Sequence, residues 1–232
     1  LDLCCPYYHQ AELSLRGSSK ARKLMADLAT LLARLKQLEE NSDFDGLRAV
    51  RQEIINEYES SEKAAEALYK LGLDSLFRRR NMADASSSFE RAAKLKHSFW
   101  SEAARTSLGI CLYHHGKKQQ SLFQLRRVGY ADKPTDHSVT ALAFIETIFT
   151  KEDNLVEVSR VRKTRILQLK KIIDSTKPHG DPAALGHYLY CLGVALMDEG
   201  LLEEATPVLV EAKELGADIL GADLYRAVAA IV

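Results

Sequence analysis

From residue 20 onward, apolar side chains return at steps of three and four. Leu24, Leu28, Leu31, Leu35 and Leu38 form one narrow seam, which predicts a helix of about twenty residues. The polar stretch "ENSDFD" interrupts it, and Ser42 or Asp43 can cap the next helix by accepting from first-turn amides. Leu47, Val50, Ile54 and Tyr58 then form a second stripe, so the two segments should fold back as an antiparallel hairpin. A third helix starts near Glu62, is broken at "NMAD", and gives way to a fourth in "ASSSFERAAKLK". "SFWSEAARTSLGICLYHH" and "KKQQSLFQLRRV" are the fifth and sixth, closed by Gly116 and by Gly129 with Pro134 behind it. "DHSVTALAFIETIFT" and a long basic helix over about 155–174 come next, ended by Pro178 and "HGDP". Asp181 and Pro182 suit an N-cap and first turn, opening two more helices, and "GADLYRAVAAIV" supplies a last one. The first 19 residues give only an irregular or short helical lead-in. No run alternates β-branched residues between turn signals, so the chain is predicted all-α.

The helices carry an internal repeat. Leu-Gly occurs at Leu71-Gly72, Leu108-Gly109 and Leu192-Gly193. Gly116, Ser121, Leu125 and Val128 follow Gly109 at offsets of 7, 12, 16 and 19, and Gly200, Ala205, Leu209 and Ala212 follow Gly193 at the same offsets. Ala85, Phe89 and Ala92 follow Gly72 with one residue more in the loop. A small residue in the first helix lets the second approach closely, and a large one four positions after the second helix's own small residue fills the gap. One such pair cannot bury its apolar face alone, so neighbours must stack.

This spacing resembles the tetratricopeptide repeat, a helix-turn-helix unit whose signature runs Leu-Gly, an aromatic, Gly, Ala, Phe, Ala and Pro. Leu189, Leu192, Gly193, Gly200, Ala205, Leu209 and Ala212 carry the match in one unit. Leu108, Gly109, Gly116, Ser121, Leu125, Val128 and a shifted Pro134 carry it in another, and Leu68, Leu71, Gly72, Ala85, Phe89 and Ala92 in a third. The segment 136–174 occupies the place of a unit without Leu-Gly and with an overlong second helix. The resemblance implies a right-handed α-α superhelix, a helical-repeat solenoid over 62–232. Its units fall at about 62–97, 98–134, 136–178 and 182–216, with a C-terminal helix at 218–232. A lead-in and helical hairpin over 1–61 precede it.

Composition narrows the function classes. The 232 residues carry 32 basic and 32 acidic side chains, so no global field draws the chain onto nucleic acid or membrane. Cys4, Cys5, Cys111 and Cys191 are irregularly spaced in a chain too large to need a disulfide framework, which favours free thiols and a cytoplasmic setting. The longest uncharged stretch, 183–197, is too short and too polar to span a bilayer. "LDLCCPYYHQ" lacks the basic start and apolar middle of a signal peptide, and both ends look cut, as in a piece of a longer protein.

Candidate chemistry is sparse. Cys111, His114 and His115 fall at helical spacing, where a thiol and an imidazole share a face. Cys111 also stands where a small buried residue belongs, and the histidines suit a helix C-terminus. Cys4, Cys5 and His9 lack the further ligands zinc requires. Phosphate loops and hydrolase motifs are absent, Glu203 and Glu204 read as a solvated face, and the expectation is no enzyme, cofactor or metal. Arg160, Arg162, Lys163, Arg165, Lys170 and Lys171 form a basic patch on the helix over 159–171, with no acid among them. It could meet phosphates, anionic lipid or an acidic partner, or be the solvated side of a helix whose other side is Val158, Val161, Ile166, Leu169 and Ile173.

The resemblance also implies a concave groove lined by the first helix of each unit. Carried over, its positions are Tyr69, Leu73 and Phe77, then Thr106, Ile110, Tyr113 and His114, then His187, Tyr190, Val194 and Met197. The set is apolar and aromatic rather than the Lys, Asn and Arg set that clamps a terminal carboxylate. It suits a partner helix or extended peptide, or a helix of this same chain. The expected function is a non-catalytic scaffold or adaptor binding another protein. The alternative is nucleic-acid or anionic-surface binding through the basic helix, and a metal- or thiol-dependent enzyme on Cys111 and His114 is third.

Overall fold

The computed structural model describes residues 19–95, 97–177 and 180–217. The lead-in with Cys4, Cys5 and His9, the stop at Pro178 and the helix expected at 218–232 lie outside them. The described residues form ten helices and no strand: α1 Ser19–Glu40, α2 Phe44–Glu57, α3 Glu62–Phe77, α4 Met82–Lys94, α5 Ser98–His114, α6 Lys118–Gly129, α7 Asp136–Thr150, α8 Leu155–Thr176, α9 Pro182–Asp198 and α10 Leu202–Glu214. The chain is all-α. Its extensive helix contacts run between sequence neighbours, as in α1 on α2, α3 on α4, α7 on α8 and α9 on α10. Compactness divides it into two units, one through Trp100 and one from Ser101.

Two boundaries differ from the pattern. The break expected at "NMAD" falls slightly earlier, over 78–81, because Asn81 accepts from the Asp84 amide and starts α4 at Met82. Gly129 does not end α6 in a left-handed conformation. It is the last helical residue, is buried, and would set a Cβ 3.1 Å from Leu142, so closeness to α7 is what requires it. Asp43, rather than Ser42, caps α2, and Asp181 with Pro182 opens α9 as the sequence suggests.

One turn recurs. Ser42, Arg80, Gly116, Asp153 and Gly200 all have positive φ, and each stands two residues before the next helix. The amide after each reaches back to a carbonyl of the preceding helix: Asp43 to Leu38 at 2.9 Å, Asn81 to Ser75 at 2.8 Å, Lys117 to Leu112 at 2.9 Å, Asn154 to Phe149 at 3.1 Å and Leu201 to Leu196 at 2.9 Å. The four bonds that span five residues are the signature of a left-handed helix stop, which satisfies carbonyls the helix end leaves bare; the bond from Asn81 spans six, in the loop that carries one residue more. The hairpins closed at Ser42 and Asp153 therefore share the turn of those closed at Gly116 and Gly200, with Ser42 and Asp153 where the others place glycine.

The anchor glycines do what their spacing implies. A Cβ on Gly72 would lie 2.4 Å from the Phe89 ring, one on Gly109 2.6 Å from Leu125, and one on Gly193 2.5 Å from Leu209. Phe89, Leu125 and Leu209 are fully buried. In the second unit, α8 serves two cores. Val158 and Val161 join Leu125, Leu142, Ile145 and Ile148, whereas Leu169 and Ile173 join Leu189, Leu192 and Leu196.

Two substitutions should move stability in opposite directions. Gly109→Ala overpacks against Leu125 and should cost about 1–3 kcal/mol. Arg80→Gly removes a side chain from a left-handed position and should gain about 1 kcal/mol. Urea denaturation reads both; equal midpoints would contradict the close approach and the turn.

Candidate functional site

The second unit ties α8 to α7 and α6, and the start of α7 to α5, through buried polar groups. Ser138 in the first turn of α7 is fully buried and donates to Gln168 Oε1 at 2.6 Å. Gln168 Nε2 donates to the Gly129 carbonyl at 2.6 Å. Thr135 caps α7 by accepting from the Ser138 amide, and its hydroxyl donates to Glu102 Oε2 at 2.8 Å. Buried groups satisfied in this way fix geometry, since misalignment would strand a donor or acceptor.

Two of the six basic residues on α8, Arg162 and Arg165, are shielded from solvent. Glu146 of α7 is buried and accepts from Arg162 Nε at 2.8 Å, while Arg165 Nη2 lies 3.2 Å from its Oε2. Arg162 Nη1 donates to the Asp198 carbonyl at 2.6 Å and stands 3.5 Å from Glu199 Oε2. Ser159 Oγ donates to Glu199 Oε1 at 2.6 Å, and Lys163 Nζ is 3.3 Å away. Burial opposes the charge on Glu199, but the bonds from Ser159 and Lys163 and the nearby cations outweigh it and hold this carboxyl below its ordinary pKa. Arg160 pairs with Glu157 and Lys170 with Glu204, while Lys171 is exposed. Of the patch expected from sequence, Arg162 and Arg165 are drawn inward by acids on neighbouring helices, whereas Arg160, Lys163, Lys170 and Lys171 are exposed, the first three each beside an acid.

Beside this cluster, α7, α8 and α9 line a half-open cavity of about 590 Å³. Val139, Thr140 and Ala143 form the α7 wall with Asp136 at its end, and Arg165 and Leu169 come from α8. The α9 side presents Ala184, His187, Tyr188, Tyr190, Cys191 and Val194. The Tyr188 hydroxyl donates to Asp136 Oδ1. Burial, then this bond, raises the phenol pKa. Cys191 Sγ is 3.7 Å from His187 Nε2, and burial raises the thiol, against the pull of Arg165. A thiol kept protonated is a poor nucleophile. Among the described residues, no group of three or more His, Cys, Asp or Glu side chains could hold a metal.

The groove positions carried over from the resemblance disperse. His187, Tyr190 and Val194 line the cavity, and Met197 packs half-buried against the adjoining core. Thr106 is buried and donates to the Glu102 carbonyl of its own helix, so it offers a groove nothing. Ile110 is half-buried, and Tyr113 packs edge-on to Phe144 with Lys151 over its ring and exposed His114 beside it. In the first unit, Tyr69 packs against Phe89 and Trp100, Leu73 is half-buried, and Phe77 is exposed. Cys111 faces the core while His114 and His115 face solvent, which separates the thiol–imidazole pair. The sequence reading missed Asp136 and the small residue Ala143, because 136–174 lacks the anchor that aligns the other units, and it missed Tyr188 and Cys191 because they flank the carried-over positions His187 and Tyr190.

No family model matches the chain, and no curated protein matches it. Among solved structures it is similar to BtubC (BKLC) from P. vanneervenii, with a TM-score of 0.52 at 11% identity, covering 96% of this chain and 87% of that one. At that identity the likeness concerns the fold alone. No described helix is long and apolar enough to cross a membrane.

Glu146→Ala should destabilise the chain by about 3 kcal/mol, since it leaves buried guanidinium charge unpaired. Glu199 has a depressed folded pKa, so its stabilisation is complete above the unfolded carboxylate value of about 4.3 and is lost as pH falls through the lower folded one. Glu199→Gln should therefore flatten the acid side of the stability–pH curve; an unchanged curve would contradict the pairing.

Proposed function

We propose that this chain is a non-catalytic protein-interaction module of tetratricopeptide-like architecture, working in the cytoplasm. It binds a partner helix or an extended peptide in the α7–α8–α9 cavity. The observation that carries this reading is the cavity itself, roomy and walled by Val139, Ala143, Leu169 and Val194 with aromatic Tyr188 and Tyr190. A concave apolar site with a few polar groups is the usual form of a binding pocket. His187, Tyr190 and Val194 are also positions at which the resembled family contacts ligands. Apolar burial supplies affinity, and the charged rim sets orientation.

The alternative, an anionic surface met by α8, is weakened by the pairing of Arg162, Lys163 and Arg165 with Glu146 and Glu199. An enzyme built on Cys111 and His114 is weakened by the burial of Cys111 and the exposure of His114.

Peptides selected on the chain should bind at least tenfold more weakly to Val194→Asp, which puts a charge on the apolar wall, with little change in melting temperature. Tyr113→Ala should leave their affinity unchanged, because Tyr113 does not line the cavity. Equal binding to wild type and Val194→Asp would refute the groove. A steep fall in oligonucleotide binding with salt would instead support the basic-helix reading.

A further inference from the structure

Arg165 belongs both to the charge cluster and to the cavity. Its side chain is 15% exposed, and its Nη2 lies 3.2 Å from Glu146 Oε2 in an ion pair without hydrogen-bond geometry. Its Nε is buried and meets no acceptor among the described residues. Glu146 meanwhile commits Oε1 to Arg162. Two carboxylates, Glu146 and Glu199, thus serve the three cations Arg162, Lys163 and Arg165. Lys163 is 66% exposed and is covered by solvent. The positive charge left under-compensated in a shielded place is that of Arg165, which lines the cavity. Its field reaches the cavity-lining thiol of Cys191. Asp136, which also lines the cavity, already accepts from Tyr188.

A guanidinium presents several N–H donors in a planar fork suited to a carboxylate, and a buried one is costly without acceptors. Around it stand Leu169, Val139, Ala143 and Val194. A small hydrated anion would leave those walls wet, whereas a carboxylate carried on apolar chain satisfies both. We infer that Arg165 seats a carboxylate of the bound segment, so that the groove selects a partner peptide in which Asp or Glu is flanked by large apolar residues. This rests on the peptide-groove reading above and adds its specificity.

The test is selection of a random dodecapeptide phage library on the 232-residue chain, counter-selected on Val194→Asp. The leading peptide is then synthesised with its acid intact and as the amide, and both are titrated by calorimetry. An acidic position should emerge among the selected peptides, and the amide version should bind at least about tenfold more weakly to the wild type. Arg165→Gln should abolish that difference, and Arg165→Lys should keep part of it. Selected peptides without an acidic position, or a preference that survives Arg165→Gln, would overturn the carboxylate seat while leaving the groove standing. Displacement by millimolar acetate or phosphate would also overturn it, as a general anion site. Selection indifferent to Val194→Asp would remove the groove and the seat together. The acid-against-amide comparison on the wild type holds even where a variant fails to fold.

Discussion

The fold depends on how closely two helices can approach where one has no side chain. At Gly72, Gly109 and Gly193 the partner's Phe89, Leu125 and Leu209 fill space that a single Cβ would occupy. Each pair is thereby a ridge seated in a notch rather than two cylinders in contact. Apolar burial supplies the driving force, but it is non-directional. The notch sets register, because sliding either helix by one residue would set a Cβ against the large side chain. The recurrent left-handed turn does the matching job at the end of each pair, returning the chain while satisfying the last carbonyls.

The site arises from the surfaces these pairs leave over. Helix α8 divides its apolar face between two cores, so the side chains bordering that face, Arg162 and Arg165 among them, meet a neighbouring helix rather than bulk water. Arg162 and Arg165 are therefore drawn onto Glu146, and Arg162 reaches on toward Glu199. Buried charges of this kind stabilise little in net terms, yet they penalise any rearrangement that unpairs them. With Gln168 holding Ser138 and the Gly129 carbonyl, they fix how α8 sits against its neighbours beside the cavity.

Periodicity and stop signals made the helices legible, and the anchor offsets made three of the pairs legible. The turns at Ser42, Arg80 and Asp153 were hidden, because the left-handed position is recognisable in sequence only when glycine occupies it. Gly129 misled for the converse reason: it is glycine for closeness, not for backbone sign. The basic helix misled because its acids lie elsewhere, Glu146 a helix earlier and Glu199 beyond α9. His187, Tyr190 and Val194 were within reach of alignment to neighbouring units. Asp136 and Arg165 were not, since they come from the pair whose signature has drifted.

The most direct test of the notch is a double-mutant cycle on Gly193 and Leu209, read by urea denaturation. Gly193→Ala alone should destabilise, and Leu209→Ala alone should leave a void. In the Leu209→Ala background the added methyl has room, so its cost should shrink by about 1 kcal/mol or more. Strict additivity, with Gly193→Ala costing the same in both backgrounds, would mean that the two residues do not meet and that the pairs are held some other way.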